Sequence, residues 1–140
     1  MDRRTRYFMR DEKFRTPEFI GPADLEVLGD WVTEDIQLVP YDILEAIDLV
    51  RLAQANPDAD PEELSGNAFA ATIGPQGVTI ENHFVEDMQG EFSLGTVLDV
   101  LLDFWDYCVP GRPRYVAPAW ERYVKESGRD PLAGLRQVTN

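Results

Sequence analysis

The sequence contains one cysteine, Cys108, and one histidine, His83, among its 140 residues. A single cysteine excludes an internal disulfide framework and any zinc site built from cysteine pairs. Long apolar runs are also missing, since no stretch approaches the roughly 20 residues that a membrane-spanning helix needs. The charged N-terminus lacks the apolar segment of a signal peptide. We therefore predict a cytoplasmic protein that does not bind membranes.

Basic residues are almost absent from the middle of the chain. Residues 16–110 hold twenty Asp and Glu but a single basic residue, Arg51, and the net charge of the whole chain is −13. An acidic surface can simply keep a protein soluble, but both signs of charge are then usually interspersed. Such a field repels nucleic acid and attracts basic partners. We predict no nucleic-acid binding and a basic protein partner.

The length and the hydrophobic content of 44% fit one domain, residues 1–140. Its two ends differ from its body in charge. Residues 1–15 and residues 111–140 each hold six Lys and Arg against three Asp and Glu. We predict a basic N-terminal arm at about residues 1–15 and a basic C-terminal tail at about residues 111–140.

Helical periodicity occurs at two places in the body and once in the tail. After Pro40, apolar residues recur at helical spacing until Asn56-Pro57, which predicts a helix over residues 40–55. Ser93 is a suitable N-cap for a second, strongly apolar helix over residues 94–108. The tail favours a short helix at about residues 118–127. Residues 56–66 and 85–92 are polar and are predicted to be surface connections.

Alternating apolar residues predict a β-hairpin between the two main helices. Its strands cover residues 68–73 and 78–84, around the turn Gly-Pro-Gln-Gly at 74–77. This centring places Ile73 opposite Val78, with a polar outer face. The predicted fold class is α+β, with a small antiparallel sheet, containing a central hairpin, packed against the two main helices.

The evidence for catalysis or metal binding is weak. Glu81 and His83 share one face of a predicted strand, as an acid/base pair requires, which leaves a small enzyme using His83 as one alternative. Cys108 lies in an apolar helix without a basic neighbour, as expected of a packed side chain. The acidic cluster at residues 58–63 has Glu63 and Phe69 where a calcium loop needs Gly and Glu. We predict no catalytic residue, no metal site and no cofactor.

The acidic residues of the second main helix form a stripe. Asp99, Asp103 and Asp106 recur at i, i+4 and i+7, where like charges destabilise a helix and no basic residue is close in sequence. This pattern favours a cationic partner outside the chain. With the acidic end of the hairpin, it predicts a partner-binding surface formed by Asp99, Asp103, Asp106, Glu81, His83, Glu86 and Asp87.

The hairpin "GNAFAATIGPQGVTIEN" and the Ser-capped helix "SLGTVLDVLLDFWDY" resemble small immunity proteins of bacterial polymorphic toxin systems, including contact-dependent growth inhibition. The resemblance covers residues 40–108. It implies a non-enzymatic protein that binds and neutralises a secreted toxin domain, often a nuclease whose basic cleft suits an acidic inhibitor. The other alternative is an acidic adaptor or nucleic-acid mimic that binds a different basic protein.

Overall fold

A computed structural model describes residues 3–10, 16–111 and 113–138 of the protein. Parts of the predicted basic ends, residues 1–2, 11–15, 112 and 139–140, lie outside the described residues. The helices of the described residues are α1 (Glu26–Trp31), α2 (Pro40–Ala55), α3 (Leu94–Gly111) and α4 (Pro113–Ser127).

The described strands form two antiparallel sheets. The N-terminal sheet has three short strands in sequential order, β1 (Arg3–Arg4), β2 (Phe8–Arg10) and β3 (Glu18–Phe19). The main sheet has four, also in sequential order, β4 (Glu62–Ser65), β5 (Phe69–Gly74), β6 (Gly77–Asn82) and β7 (Gln89–Phe92). The chain therefore has the predicted α+β fold.

The predicted hairpin is confirmed as β5 and β6 in the predicted register. Ile73 lies opposite Val78, and Phe69 lies opposite Asn82. Gly77 has a φ of 138°, a conformation that favours glycine and that closes the two-residue turn. Ile73 and Val78 are buried while Thr72 is exposed, so one face of the hairpin packs on the core and the other meets solvent.

The prediction that residues 56–66 and 85–92 are only surface connections was wrong. Each segment contributes one edge strand, β4 beside β5 and β7 beside β6. Both strands are four residues long and mostly polar. Only Leu64 in β4 and Phe92 in β7 pack against the core, so neither strand shows the repeated alternation that identifies β5 and β6.

The bounds of α2 match the sequence prediction, while α3 and α4 are longer than predicted. The Ser93 hydroxyl caps α3 as expected, since its Oγ accepts from the Thr96 N–H at 3.1 Å. The helix continues through Pro110, because a proline in the last turn removes only one helical hydrogen bond. The helix α4 begins at Pro113, where a missing N–H has no helical partner to lose, and it includes Pro118 in its second turn.

The core lies between the main sheet and the helices α2 and α3, and the N-terminal sheet contributes to it. Leu101 and Trp105 of α3 are 0% and 1% exposed, and Cys108 is buried as predicted. Phe8 of β2 is also fully buried, with its ring centroid 4.7 Å from that of Phe104. The predicted N-terminal arm is thus anchored in the core through β2.

Candidate functional site

The loop between β6 and β7, residues 83–88, presents apolar side chains to solvent. Phe84 is 81% exposed and Val85 is 46% exposed. The backbone of this loop is held by hydrogen bonds, because the Asn82 Oδ1 accepts from the Phe84 N–H at 2.9 Å and from the Val85 N–H at 3.0 Å. The Met88 N–H donates to the Val85 carbonyl at 3.1 Å. Large exposed apolar side chains on an ordered loop are typical of a protein-binding surface.

Four of the seven predicted partner-binding residues border these apolar side chains. Glu81 lies near the end of β6, and His83, Glu86 and Asp87 belong to the loop. All four are exposed. Within the described parts of the chain, none of the three carboxylates forms an ion pair. We call residues 81–88 the acidic tip.

The His83 ring contacts β4 and the turn that follows it. Its Nε2 lies 3.1 Å from the Gly66 carbonyl oxygen and 3.4 Å from the Ser65 Oγ. A carbonyl oxygen only accepts hydrogen bonds, so Nε2 carries the proton in this contact. The ring also packs edge-on against Phe84, with centroids 6.1 Å apart. These contacts orient His83 toward Gly66 and Ser65 rather than toward Glu81, its expected acid/base partner.

The aspartates of α3 do not form the uncompensated stripe that the sequence predicts. Asp99 accepts from the Arg6 Nη1 at 3.1 Å and from the Tyr7 hydroxyl at 2.8 Å. Asp103 accepts from the Thr5 hydroxyl at 2.7 Å and from the Tyr7 N–H at 2.9 Å. Both carboxylates therefore bind the N-terminal segment of the same chain.

The third aspartate of the stripe, Asp106, binds the C-terminal segment. The Arg136 Nε and Nη2 each donate to one oxygen of Asp106 at 2.8 Å. The fold brings Arg6 to Asp99 and Arg136 to Asp106, although both arginines are far away in sequence. Asp103 instead accepts from the Thr5 hydroxyl and from backbone N–H groups. A lack of partners therefore no longer supports the assignment of these three residues to a partner surface, which stays a prediction.

A buried carboxylate holds the basic C-terminal segment against α2. Asp48 is 3% exposed and accepts from the Tyr123 hydroxyl at 2.6 Å and from the Arg129 Nη2 at 2.7 Å. The Arg51 Nη1 donates to the Pro131 carbonyl at 2.8 Å. Through the contact of Arg129 with Asp48, positive charge of the C-terminal segment lies against the acidic body of the chain.

A groove lies beside the acidic tip, between α2, β4 and a π-helical turn at Val32–Ile36. Its volume is about 380 Å³, and we call it the acidic groove after the carboxylates among its lining residues, which are Asp35, Asp42, Glu45 and Glu63. Ser65 and Gly66, which His83 contacts, line the same groove. The acidic tip and the acidic groove are therefore neighbours.

The carboxylates of the acidic groove differ in their surroundings. Asp35 is held by the backbone, since its two oxygens accept from the Ala68 N–H at 2.9 Å and the Phe69 N–H at 2.8 Å. Burial raises the pKa of Glu45, and repulsion from Asp42 and Asp48 raises it further. Asp42 is more exposed; partial desolvation raises its pKa, and the positive charge of Arg122 opposes this shift. A raised pKa means that the folded protein disfavours the negative charge, so a cation brought to Glu45 would relieve this cost.

Other kinds of site find little support in the parts of the chain that the structure describes. No three His, Cys, Asp or Glu side chains among residues 3–10, 16–111 and 113–138 are grouped so that they could hold a metal ion. Within the same ranges, no helix combines the length and the apolar character needed to cross a lipid bilayer.

Sequence reasoning found the charged residues of the acidic tip but missed Phe84 and the groove. Phe84 was assigned to the end of a strand, where an apolar side chain usually packs inward. A possible signal was Asn82, whose side chain can accept hydrogen bonds from backbone N–H groups just after it and so end a strand. The groove has no local signal, because its walls come from three separate segments.

Comparisons with known proteins give no relative for this chain: no family model, no curated protein and no solved structure matches it.

Proposed function

We propose that this protein is a cytoplasmic immunity protein that binds and neutralises a basic toxin domain, and that the acidic tip is the centre of the binding surface. A nuclease domain is the expected class of toxin, because a cleft that binds nucleic acid is basic and complements an acidic inhibitor. The observation that carries the proposal is the exposure of Phe84 on an ordered loop bordered by Glu81, Glu86 and Asp87.

The acidic tip combines the two features that protein-binding surfaces use. Phe84 and Val85 supply apolar area, and an anchor of this kind near the centre of an interface contributes a large part of the binding energy. The surrounding carboxylates steer a basic partner toward the tip and disfavour acidic ones. The hydrogen bonds of Asn82 fix the loop before binding, which lowers the entropy cost of association.

The contacts of the other charged residues support the same surface. The basic side chains Arg6, Arg129 and Arg136 are engaged by aspartates of α2 and α3. These ion pairs neutralise part of the helical face and leave the carboxylates of the tip without a described cationic neighbour. A basic partner should therefore bind at the acidic tip in preference to the acidic face of α3.

The test uses the product of the reading frame immediately upstream of this gene, the expected position of a toxin gene in such systems. Binding of its C-terminal domain is measured by calorimetry, and protection is measured as growth of cells that express this domain. We expect Phe84→Ala to weaken binding by about 2 kcal/mol or more, about thirtyfold, as for a central anchor. Growth protection should fall accordingly.

Tyr115→Ala is the matched control, because Tyr115 is an aromatic residue that is 60% exposed on α4, outside the tip. This variant should bind and protect like the parent. The proposal is contradicted if the upstream domain does not bind, or if Tyr115→Ala weakens binding and Phe84→Ala does not. Binding to a different basic protein instead would favour the adaptor role.

A further inference from the structure

We infer that the space between α2 and the free edge of β4 is a second binding site, which takes an extended segment of a protein with basic side chains at one end and apolar side chains at the other. The acidic groove is one half of this space. The inference goes beyond the proposed function, because it concerns a surface other than the acidic tip and a peptide-like ligand from any protein.

Two cavities follow one another along α2 and β4. The first is the acidic groove, and the second, of about 570 Å³, lies between the C-terminal half of α2 and residues 58–62. Most residues of α2 that line the two cavities recur about once per helical turn and so form one stripe. With Asn56 just after the helix, the stripe consists of Asp42, Glu45, Leu49, Leu52 and Asn56, and Ala53 lies beside it. We call the two cavities together the α2–β4 groove.

The wall opposite α2 is an edge strand with free hydrogen-bonding groups. Among the described strands, β4 pairs with β5 alone. The Gly66 N–H donates to the Phe69 carbonyl at 2.9 Å, so Gly66 faces β5. Because hydrogen bonding alternates along an antiparallel pair, Leu64 also bonds to β5, whereas the backbone groups of Glu63 and Ser65 point to the open edge. An incoming strand could pair with these groups.

The charges and apolar contacts of the α2–β4 groove define its ligand. At one end, burial and repulsion from Asp42 and Asp48 raise the pKa of Glu45, so the folded chain benefits from a cation placed beside it. Asp42 adds an exposed carboxylate at this end. At the other end, Leu49 and Leu52 line the α2 wall and favour an apolar side chain there, while Asp58, Asp60 and Glu62 line the opposite wall. Arg129 also borders this end, but its guanidinium is bound by Asp48.

The dimensions of the groove set the length of the ligand. From Asp42 to Asn56 the chain rises about 21 Å, at about 1.5 Å per helical residue. An extended strand advances about 3.3 Å per residue, so about six residues fill the groove. Alternate residues of such a strand face α2, while the others face solvent and carry no specificity.

The probe is a terminally blocked peptide of about six residues, which is the length that fills the groove. It has Lys, Lys and Val at the alternate positions that face α2 and Thr between them, and it is synthesised in both sequence orders. Titration is followed by the NMR shifts of the backbone amides. We expect shifts of the Glu63 and Ser65 amides with one of the two orders, and no such shifts when Glu replaces Lys.

Backbone pairing is tested separately from charge. Two versions of the bound peptide are N-methylated, each on one of the two alternating sets of residues. Only one set donates hydrogen bonds to β4, so one version should bind about tenfold more weakly and the other should bind like the parent peptide. Equal binding of both versions would overturn the inference, and so would shifts confined to the acidic tip.

Variants of the protein provide the matched control. Glu63→Pro removes an N–H that faces the open edge and leaves the pairing of β4 with β5 intact, as prolines on edge strands do. It should weaken peptide binding about tenfold more than Glu63→Gln, which removes only the charge. If Glu63→Pro lowers the melting temperature, the methylated peptides still decide the question with the parent protein.

Phe84→Ala should not change peptide binding, because Phe84 lies in the acidic tip. A failure of the peptide to bind the α2–β4 groove is therefore distinct from a failure of the proposed function.

Discussion

The carboxylates of α2 show how strongly the surroundings of a residue decide its role. Asp48 is buried, yet its charge is satisfied by the Tyr123 hydroxyl and the Arg129 guanidinium. Burial and the contact with Asp48 together raise the pKa of Tyr123, which keeps its proton in this bond. Glu45, one turn earlier, has no such partner among the described residues. One carboxylate thus fixes the C-terminal segment, and the other is left available to a ligand.

Glu45 should make the stability of the protein depend on pH. Its pKa in the folded state is raised above the ordinary value of 4.5. With respect to Glu45, the protein therefore has its full stability below pH 4.5, where the carboxyl group is protonated. Part of this stability is lost as the pH rises through the raised pKa, because the folded state must then hold the charged carboxylate. We expect Glu45→Gln to increase the free energy of unfolding relative to the parent at about pH 7 and not at about pH 3.5, as measured by urea denaturation.

Glu86→Gln controls for the loss of one negative charge, since Glu86 is exposed in the loop between β6 and β7. It should not reproduce the pH-dependent gain. A Glu45→Gln variant that is less stable than the parent at neutral pH would contradict this account, because it would mean that the Glu45 carboxylate makes a favourable contact when charged.

At the scale of the element, α3 joins the two ends of the chain to the core. Its buried face packs with α2, and its aspartates bind the N-terminal sheet and the C-terminal segment. Asp103 is the most connected of them, because it accepts from the Thr5 hydroxyl and from the backbone N–H groups of Arg6 and Tyr7. We regard this acidic face as a structural device that holds both ends of the chain.

Removing the Asp103 carboxylate should release the N-terminal sheet. We expect Asp103→Ala to cost about 1–3 kcal/mol of stability, because the partly buried Tyr7 N–H and Thr5 hydroxyl lose their acceptor. Exchange of the Tyr7 amide hydrogen should become faster, as measured by NMR. Asp106→Ala is the control on the same helix, and it should leave the Tyr7 amide unchanged, because Asp106 binds Arg136 instead. Equal effects of the two variants would contradict this assignment.

The sequence predicts elements whose signal is local. The two-residue turn at Pro75 and Gln76 sets the register of β5 and β6, and the spacing of apolar residues sets the extent of α2. The edge strand β4 was missed because a single side chain, Leu64, packs inward from it. The partners of Asp103 were missed because Thr5 is 98 residues away in sequence, and no local pattern reports such a contact.

The same difference between local and long-range signals explains which features of the candidate site could be predicted from the sequence. The acidity of Glu81, Glu86 and Asp87 is visible in the sequence, and so is the shortage of nearby basic residues. The exposure of Phe84 depends on where β6 ends and on how the following turn folds. Distinguishing the acidic tip from the acidic face of α3 required knowledge of which carboxylates the chain itself neutralises.

Across the whole molecule, the neutralised and the unpaired charges lie on different surfaces. The described basic side chains Arg6, Arg129 and Arg136 pair with aspartates of the helices, so that the helical side is partly neutralised. The acidic tip keeps its carboxylates without such ion pairs among the described residues, with the exposed side chain of Phe84 beside them. A basic partner would therefore approach the acidic tip first.

Hydrogen–deuterium exchange of the complex tests the claim that the acidic tip contacts the toxin domain. Exchange of the backbone amides is compared between the free protein and the protein bound to the product of the upstream gene. We predict that binding slows exchange most in residues 81–88, around Phe84, while α4 keeps the exchange rates of the free protein. Slowed exchange confined to α3 or α4, with residues 81–88 unchanged, would contradict the claim.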